Sequence, residues 1–183
     1  MKKNTLKKKN LTLKVDENIK LKTLFADEIS ESYVSWLNDY EVTKFTDQKD
    51  FKSTLETVEG YVNQLYFSGN DLLFGIFYGE KHIGNMRLGQ IDFENLTADV
   101  GYLIGEKNFW AKGITSKCLK ILVQYAINNL GLKKINSGYF ENNVGSAKVL
   151  KKCGFVIEGV KISNKIFEKK RINCIVVGYV SKK

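Results

Sequence analysis

The segment from Ala98 to Asn129, ADVGYLIGEKNFWAKGITSKCLKILVQYAINN, constrains this chain more than any other stretch. It reads as a strand, a short tight loop and an amphipathic helix. Cys118, Leu119, Leu122, Val123, Ala126 and Ile127 recur at the helical period over Thr115–Asn129. The loop before them, F-W-A-K-G-I-T, contains Gly113. A glycine there lets the backbone turn sharply or approach a ligand without a Cβ in the way. The amides that follow are unpaired donors of a first helical turn, and such an end binds phosphate well. Taken alone, the loop fits an ordinary strand–loop–helix connection equally well.

The remaining composition narrows the class. With 183 residues and 43% apolar content, the chain can bury the core of one domain, expected over residues 11–183. No run of eighteen apolar residues exists, so no membrane span is expected. The N-terminal lysines precede no apolar segment, so no secretory signal is expected. Cys118, Cys153 and Cys174 are odd in number and widely spaced, as for free buried thiols in a reducing compartment such as the cytoplasm. His82 is the only histidine, which excludes a metal site needing two, and it is expected to face solvent or a turn. The net charge is +9, but five lysines lie in the first nine residues. That distribution describes a basic, disordered tail over residues 1–10 and gives little support for a nucleic-acid reading face.

No proline is present, so breaks are read from Gly, Asn and Asp. A first strand is predicted over Ile19–Leu24, then a helix over Glu28–Leu37 capped by Asp27. A second helix is predicted over Ser53–Phe67. Three antiparallel strands follow at Leu72–Tyr78, Lys81–Ile91 and Thr97–Ile104. After the helix at Thr115–Asn129 come a strand at Lys134–Phe140 and a short helix at Asn143–Lys152. The last strands, Phe155–Val160 and Arg171–Val180, are joined by a polar, lysine-rich excursion. A mixed α/β sheet with helices on both faces packs that order most simply.

Four segments, in order, resemble the GNAT superfamily of acetyl-CoA-dependent N-acetyltransferases, in its RimJ/RimL-like branch. They are Trp36-Leu37-Asn38-Asp39 with Glu41-Val42, and Gly84-Asn85 on the central hairpin. Then come Val100-Gly101-Tyr102 with Phe109–Thr115, and N-x-x-S-x-x-V-L-x-K-x-G-F from Asn143 to Phe155 with Glu158-Gly159. The likeness runs from about residue 19 to residue 180. It implies a mostly antiparallel sheet of six to seven strands, flanked by helices. Its fourth and fifth strands, about Thr97–Ile104 and Lys134–Phe140, part to admit the pantetheine arm of the cofactor. Kinase and dinucleotide glycine patterns are absent.

The resemblance also implies roles. The amides of Ala111, Lys112, Gly113, Ile114 and Thr115 wrap the pyrophosphate of acetyl-CoA. Asn143 bonds the pantetheine or shapes its path, although capping of a helix is an alternative use for it. A backbone amide about Tyr102, Leu103 or Ile104 stabilises the developing oxyanion. Trp36 and Tyr139 line the acceptor groove, and Trp110 packs beside the loop. Many members carry a tyrosine acid where this chain has Leu150, which leaves Ser146 as the local hydroxyl for the departing sulfur. The base is assigned to Glu141 first and Asp99 second. Related chains commonly carry an Asp where this one has Asn173.

The acceptor stays open at this stage. A small-molecule primary amine, such as a nucleotide-linked amino sugar, suits the excess of lysines. A protein N-terminus, of the ribosomal-protein type, is the alternative. A non-catalytic CoA-binding or interaction module is a third reading. The segments Glu31–Lys52 and Val160–Arg171 flank the groove and decide among acceptors. No metal is expected, and a homodimer is common among similar enzymes.

Overall fold

The structure, a computed structural model, describes residues 10–47 and 51–182. Most of the basic tail expected at 1–10 therefore lies outside the described residues. The strands are β1 (Thr12–Lys14), β2 (Ile19–Thr23), β3 (Leu72–Tyr78), β4 (Lys81–Asp92), β5 (Thr97–Ile104), β6 (Lys134–Phe140), β7 (Val156–Phe167) and β8 (Lys170–Val180). The helices are α1 (Glu31–Leu37), α2 (Tyr40–Thr43), α3 (Leu55–Ser68), α4 (Ile114–Asn128) and α5 (Val144–Lys152).

One sheet runs in the order β1-β2-β3-β4-β5-β6-β8-β7. Every neighbouring pair is antiparallel except β5 with β6. Among the described residues the sheet has eight strands, more than the six to seven expected, because β1 adds a short edge on β2.

Helix α3 shows how local chemistry sets an element. Thr54 caps its start through a reciprocal pair with Thr57, and left-handed Gly69 ends it. Between them Val58, Val62 and Leu65 bury one stripe. Each such side chain contributes about 1.5–3 kcal/mol through burial. Helix α4 buries Cys118, Leu119, Leu122 and Ala126 completely. Helix α1 starts later than expected. Ser30, not Asp27, accepts from the Tyr33 amide, while Asp27 sits in a preceding single turn.

Two cores cover the two faces of the sheet. Helices α4 and α5 pack over Phe74, Met86, Val100 and Ile135. Helices α1, α2 and α3 pack over Leu73, with Leu103 at the margin. Alternation along each strand assigns the faces: Tyr102 and Ile104 belong to the first core, Leu103 to the second.

Two further expectations are corrected. The polar excursion after Val160 is a long hairpin, because β7 continues to Phe167 and meets β8 through a turn at Glu168-Lys169. His82 does not face solvent. It stacks on Phe77 at 5.0 Å and meets Tyr33 and Trp36 edge-on, and burial lowers its pKa. Of the three free cysteines, Cys118 and Cys153 are buried and Cys174 is half-buried.

Candidate active site

The site is built where the only parallel pairing of the sheet among the described residues gives out. β5 and β6 pair at Thr97–Lys134, Ala98–Ile135 and Asp99–Asn136, then diverge. Ser137 Oγ still donates to the Val100 carbonyl oxygen at 3.0 Å, which marks the apex. Beyond it, Gly101 and Gly138 are exposed although both lie on central strands. A Cβ on Gly101 would meet nothing within 4 Å. A wedge therefore opens in the middle of the sheet.

The backbone facing this wedge follows from the ladder. Gly105 N–H donates to the Ile83 carbonyl oxygen at 3.0 Å, fixing the phase of the antiparallel β4–β5 pairing. That phase commits the N–H and C=O of Leu103 to β4. It turns those of Tyr102 and Ile104 toward the wedge. In this register Leu103 stands opposite Asn85 of β4. The Ile104 carbonyl oxygen accepts from Trp110 Nε1 at 2.8 Å. This bond ties the loop before α4 to the end of β5.

That loop presents a cradle for an anion. Ala111 and Gly113 have positive φ, 58° and 74°. Ala111, Lys112 and Gly113 are exposed, while Ile114 is 5% exposed and anchors the first turn in the core. No side chain caps α4. The first-turn amides, including Ile114 and Thr115, are therefore presented outward with the positive end of the helix dipole behind them. A Cβ on Gly113 would meet nothing within 4 Å, so the approach is open. Lys112 Nζ sits 5.2 Å over the Phe109 ring, close to the same loop. These features fit a diphosphate, and the wedge beside them fits an extended arm.

The opposite lip is the start of α5. Asn143 is its cap: Oδ1 accepts from Ser146 N–H at 3.0 Å. Tyr102 reaches this helix from β5, with its hydroxyl 2.8 Å from Ser146 Oγ. Burial pushes the Tyr102 phenol up to about 12. This hydroxyl pair was not legible in the sequence, since 44 residues separate its members. Leu150, at the position of the usual tyrosine acid, is 1% exposed and belongs to the core.

The two carboxylates occupy different ends of the wedge. Asp99 lies in the paired segment and accepts from Asn136 Nδ2 at 3.1 Å. Glu141 follows the last residue of β6, at the open end. Its oxygens accept from Asn173 N–H and Asn173 Nδ2 at 2.8 and 2.9 Å. Tyr139 is half-buried and packs on the α4–α5 side. Trp36 is a core residue, 6% exposed, and its Nε1–H donates to Glu106 Oε1 at 3.2 Å. Glu106 also accepts from Lys81, and that bond, more than the indole, lowers its pKa.

The two flanking segments meet. Phe45 stacks on Phe167 at 5.2 Å and meets Phe140 edge-on, and Lys165 bonds Asp47. Phe45 and Phe167 were not singled out in the sequence, where no spacing links them. Among the described residues no group of side chains could hold a metal ion, and no helix is long and apolar enough to cross a membrane.

Known proteins share this architecture. Residues 19–156 match the family model described as an acetyltransferase (GNAT) domain. An uncharacterized N-acetyltransferase p20 of Bacillus licheniformis is 31% identical over 121 residues, 65% of each chain. The match thus spans just under two thirds of that relative's length. A ribosomal-protein-serine acetyltransferase of Escherichia coli is 26% identical over 81% of this chain and 84% of its own. Among solved structures, RimL, a ribosomal alpha-N-protein acetyltransferase in complex with coenzyme A, superposes with a TM-score of 0.85. It is 15% identical, over 93% of this chain and 98% of RimL, a likeness of fold. The family model covers most of the chain, so the chain belongs to the GNAT family of acetyltransferases.

Proposed function

We propose that this chain transfers the acetyl group of acetyl-CoA to a primary amine bound on the Gly101–Gly138 side of the wedge. The observation that carries this reading is the pairing of an open wedge with the uncapped helix start at Gly113. The amides after Gly113 hold the pyrophosphate, Lys112 adds charge beside it, and the Tyr102 backbone meets the pantetheine or the developing oxyanion. The acceptor must arrive neutral and aligned, and that placement supplies much of the rate advantage. Glu141 is the base for the amine proton, directly or through water, because it stands at the open end. Asp99 is set back in the paired segment. Ser146 stands where the sulfur departs.

A small amine is the acceptor that the groove favours. Phe45 meets both Phe140 and Phe167, which joins the two flanking segments at the β6 end. A negatively charged amine, such as a nucleotide-linked amino sugar, suits the excess of lysines over acidic residues. The likeness to a ribosomal-protein-serine acetyltransferase supports a second reading, a protein α-amine. Released CoA is measured across amino sugars, polyamines and peptide N-termini against a no-acceptor control. Turnover confined to small amines is expected, and turnover confined to peptides selects the second reading. CoA binding without turnover on any amine leaves a non-catalytic module and contradicts both.

A further inference from the structure

We propose that Tyr102 is a positioning residue for the leaving sulfur: through its bond to Ser146 Oγ it directs the Ser146 hydroxyl proton at the departing CoA thiolate. This inference rests on the acetyltransferase reading above.

The geometry brings the two hydroxyls together. The Tyr102 hydroxyl lies 2.8 Å from Ser146 Oγ and 3.4 Å from the Ser146 carbonyl oxygen. Either hydroxyl can donate across the 2.8 Å pair; the phenol proton is the more acidic of the two, and Tyr102 is the proposed donor to Ser146 Oγ. Ser146 then keeps its own proton for a third atom. Its backbone N–H is already held by Asn143 Oδ1, which fixes the first turn of α5 in place. Tyr102 and Ser146 reach each other from β5 and α5, beside the wedge that the thioester arm enters. Both are half-buried, so the pair is sheltered without being sealed.

The chemistry decides between an acid and a donor. Burial holds the phenol at about 12. An ordinary thiol titrates at about 8.5. Full proton transfer from Tyr102 to the thiolate is therefore uphill by roughly three powers of ten. A hydrogen bond to the sulfur has no such penalty, and bonds to ionised acceptors are the strong ones. In the balanced step a C–N bond forms and the C–S bond breaks. The electron pair stays on sulfur, and the amine proton leaves through the base or water. The other titratable group acting on Tyr102 is Cys153, whose thiol burial also pushes up. Leu150, buried in the core, supplies no hydroxyl, so this pair takes over the sulfur end of the site.

The test is the titration of the thiol of bound CoA, read as ultraviolet thiolate absorbance in binary complexes. Tyr102→Phe and Ser146→Ala are each expected to raise the bound thiol pKa by about one unit, a tenfold loss of thiolate at fixed pH. The double variant is expected to add little, because the two hydroxyls act in series. Ser146→Thr, which keeps a hydroxyl, is expected to restore the wild-type titration. Should Tyr102→Phe fail to fold, the Ser146→Ala and Ser146→Thr pair still decides. Wild-type protein that binds no CoA overturns the acetyltransferase reading and this inference with it. Binding by wild type with unchanged titration in Tyr102→Phe, or in Ser146→Ala, overturns the inference alone.

Discussion

Glu141 and Asn173 hold one another through three hydrogen bonds. The Asn173 amide and side-chain nitrogen each donate to one Glu141 oxygen, and the Glu141 amide donates to the Asn173 carbonyl at 3.1 Å. Asn173 Oδ1 in turn accepts from Ser163 N–H at 2.9 Å, so the hairpin of β7 and β8 orients the carboxylate beyond β6. With Glu141 as the proposed base, Glu141→Gln removes the carboxylate while keeping nearly the same shape. Turnover at neutral pH is expected to fall about 100-fold or more, with acetyl-CoA affinity unchanged. Initial rates and calorimetry on the same preparation check both halves.

Asn173→Asp tests the same contact from the other side. It replaces a donor with a second carboxylate against Glu141 and favours proton retention by the pair. The acid limb of the pH profile of kcat/KM is expected to move to higher pH. An unmoved acid limb removes Glu141 from the chemistry.

Gly105 is the point where Trp36 crosses the end of β5. A methyl group there would fall inside the indole ring, which is itself buried and tied to Glu106. Gly105→Ala is expected to cost about 1–3 kcal/mol of stability through overpacking. Urea unfolding followed by tryptophan fluorescence reads the shift in midpoint.

His82 makes stability depend on pH in a window of its own. Burial among Tyr33, Trp36 and Phe77 lowers its pKa below the ordinary 6.5 despite bonds to Asn85 and Gly84. The unfolded chain then binds the proton first as pH falls. Stability from the neutral ring is full above about 6.5, falls as pH drops below that value, and levels off beneath the folded pKa. Since this is the only histidine, His82→Gln is expected to flatten the change in urea midpoint between neutral and mildly acid pH.

The sequence carried the parts of this fold that are periodic or local. The apolar stripe of α4 and the turn at Gly113 mark one half of the cradle before any packing is known. What escaped is long-range or lacks a pattern. β7 is an edge strand exposed along almost its whole length, so no alternation marks it. Its turn uses Glu168 and Lys169 at positive φ instead of glycine, so the hairpin read as a polar excursion. His82 read as a surface residue because its partners Tyr33 and Trp36 come from α1, far back in the chain. The Tyr102–Ser146 and Phe45–Phe167 contacts exist only after the sheet has formed.

The most direct measurement of the central claim is acetyl-CoA affinity, by calorimetry, in wild type and Gly113→Asp. A Cβ at Gly113 meets no protein atom, so the variant is expected to fold and to keep its unfolding midpoint within the cost of a left-handed non-glycine residue, about 1–2 kcal/mol. Its carboxylate would stand beside the pyrophosphate. A loss of about 2 kcal/mol or more of binding, roughly 30-fold in Kd, is expected. Wild-type affinity in a folded Gly113→Asp protein would contradict the placement of acetyl-CoA at this helix start.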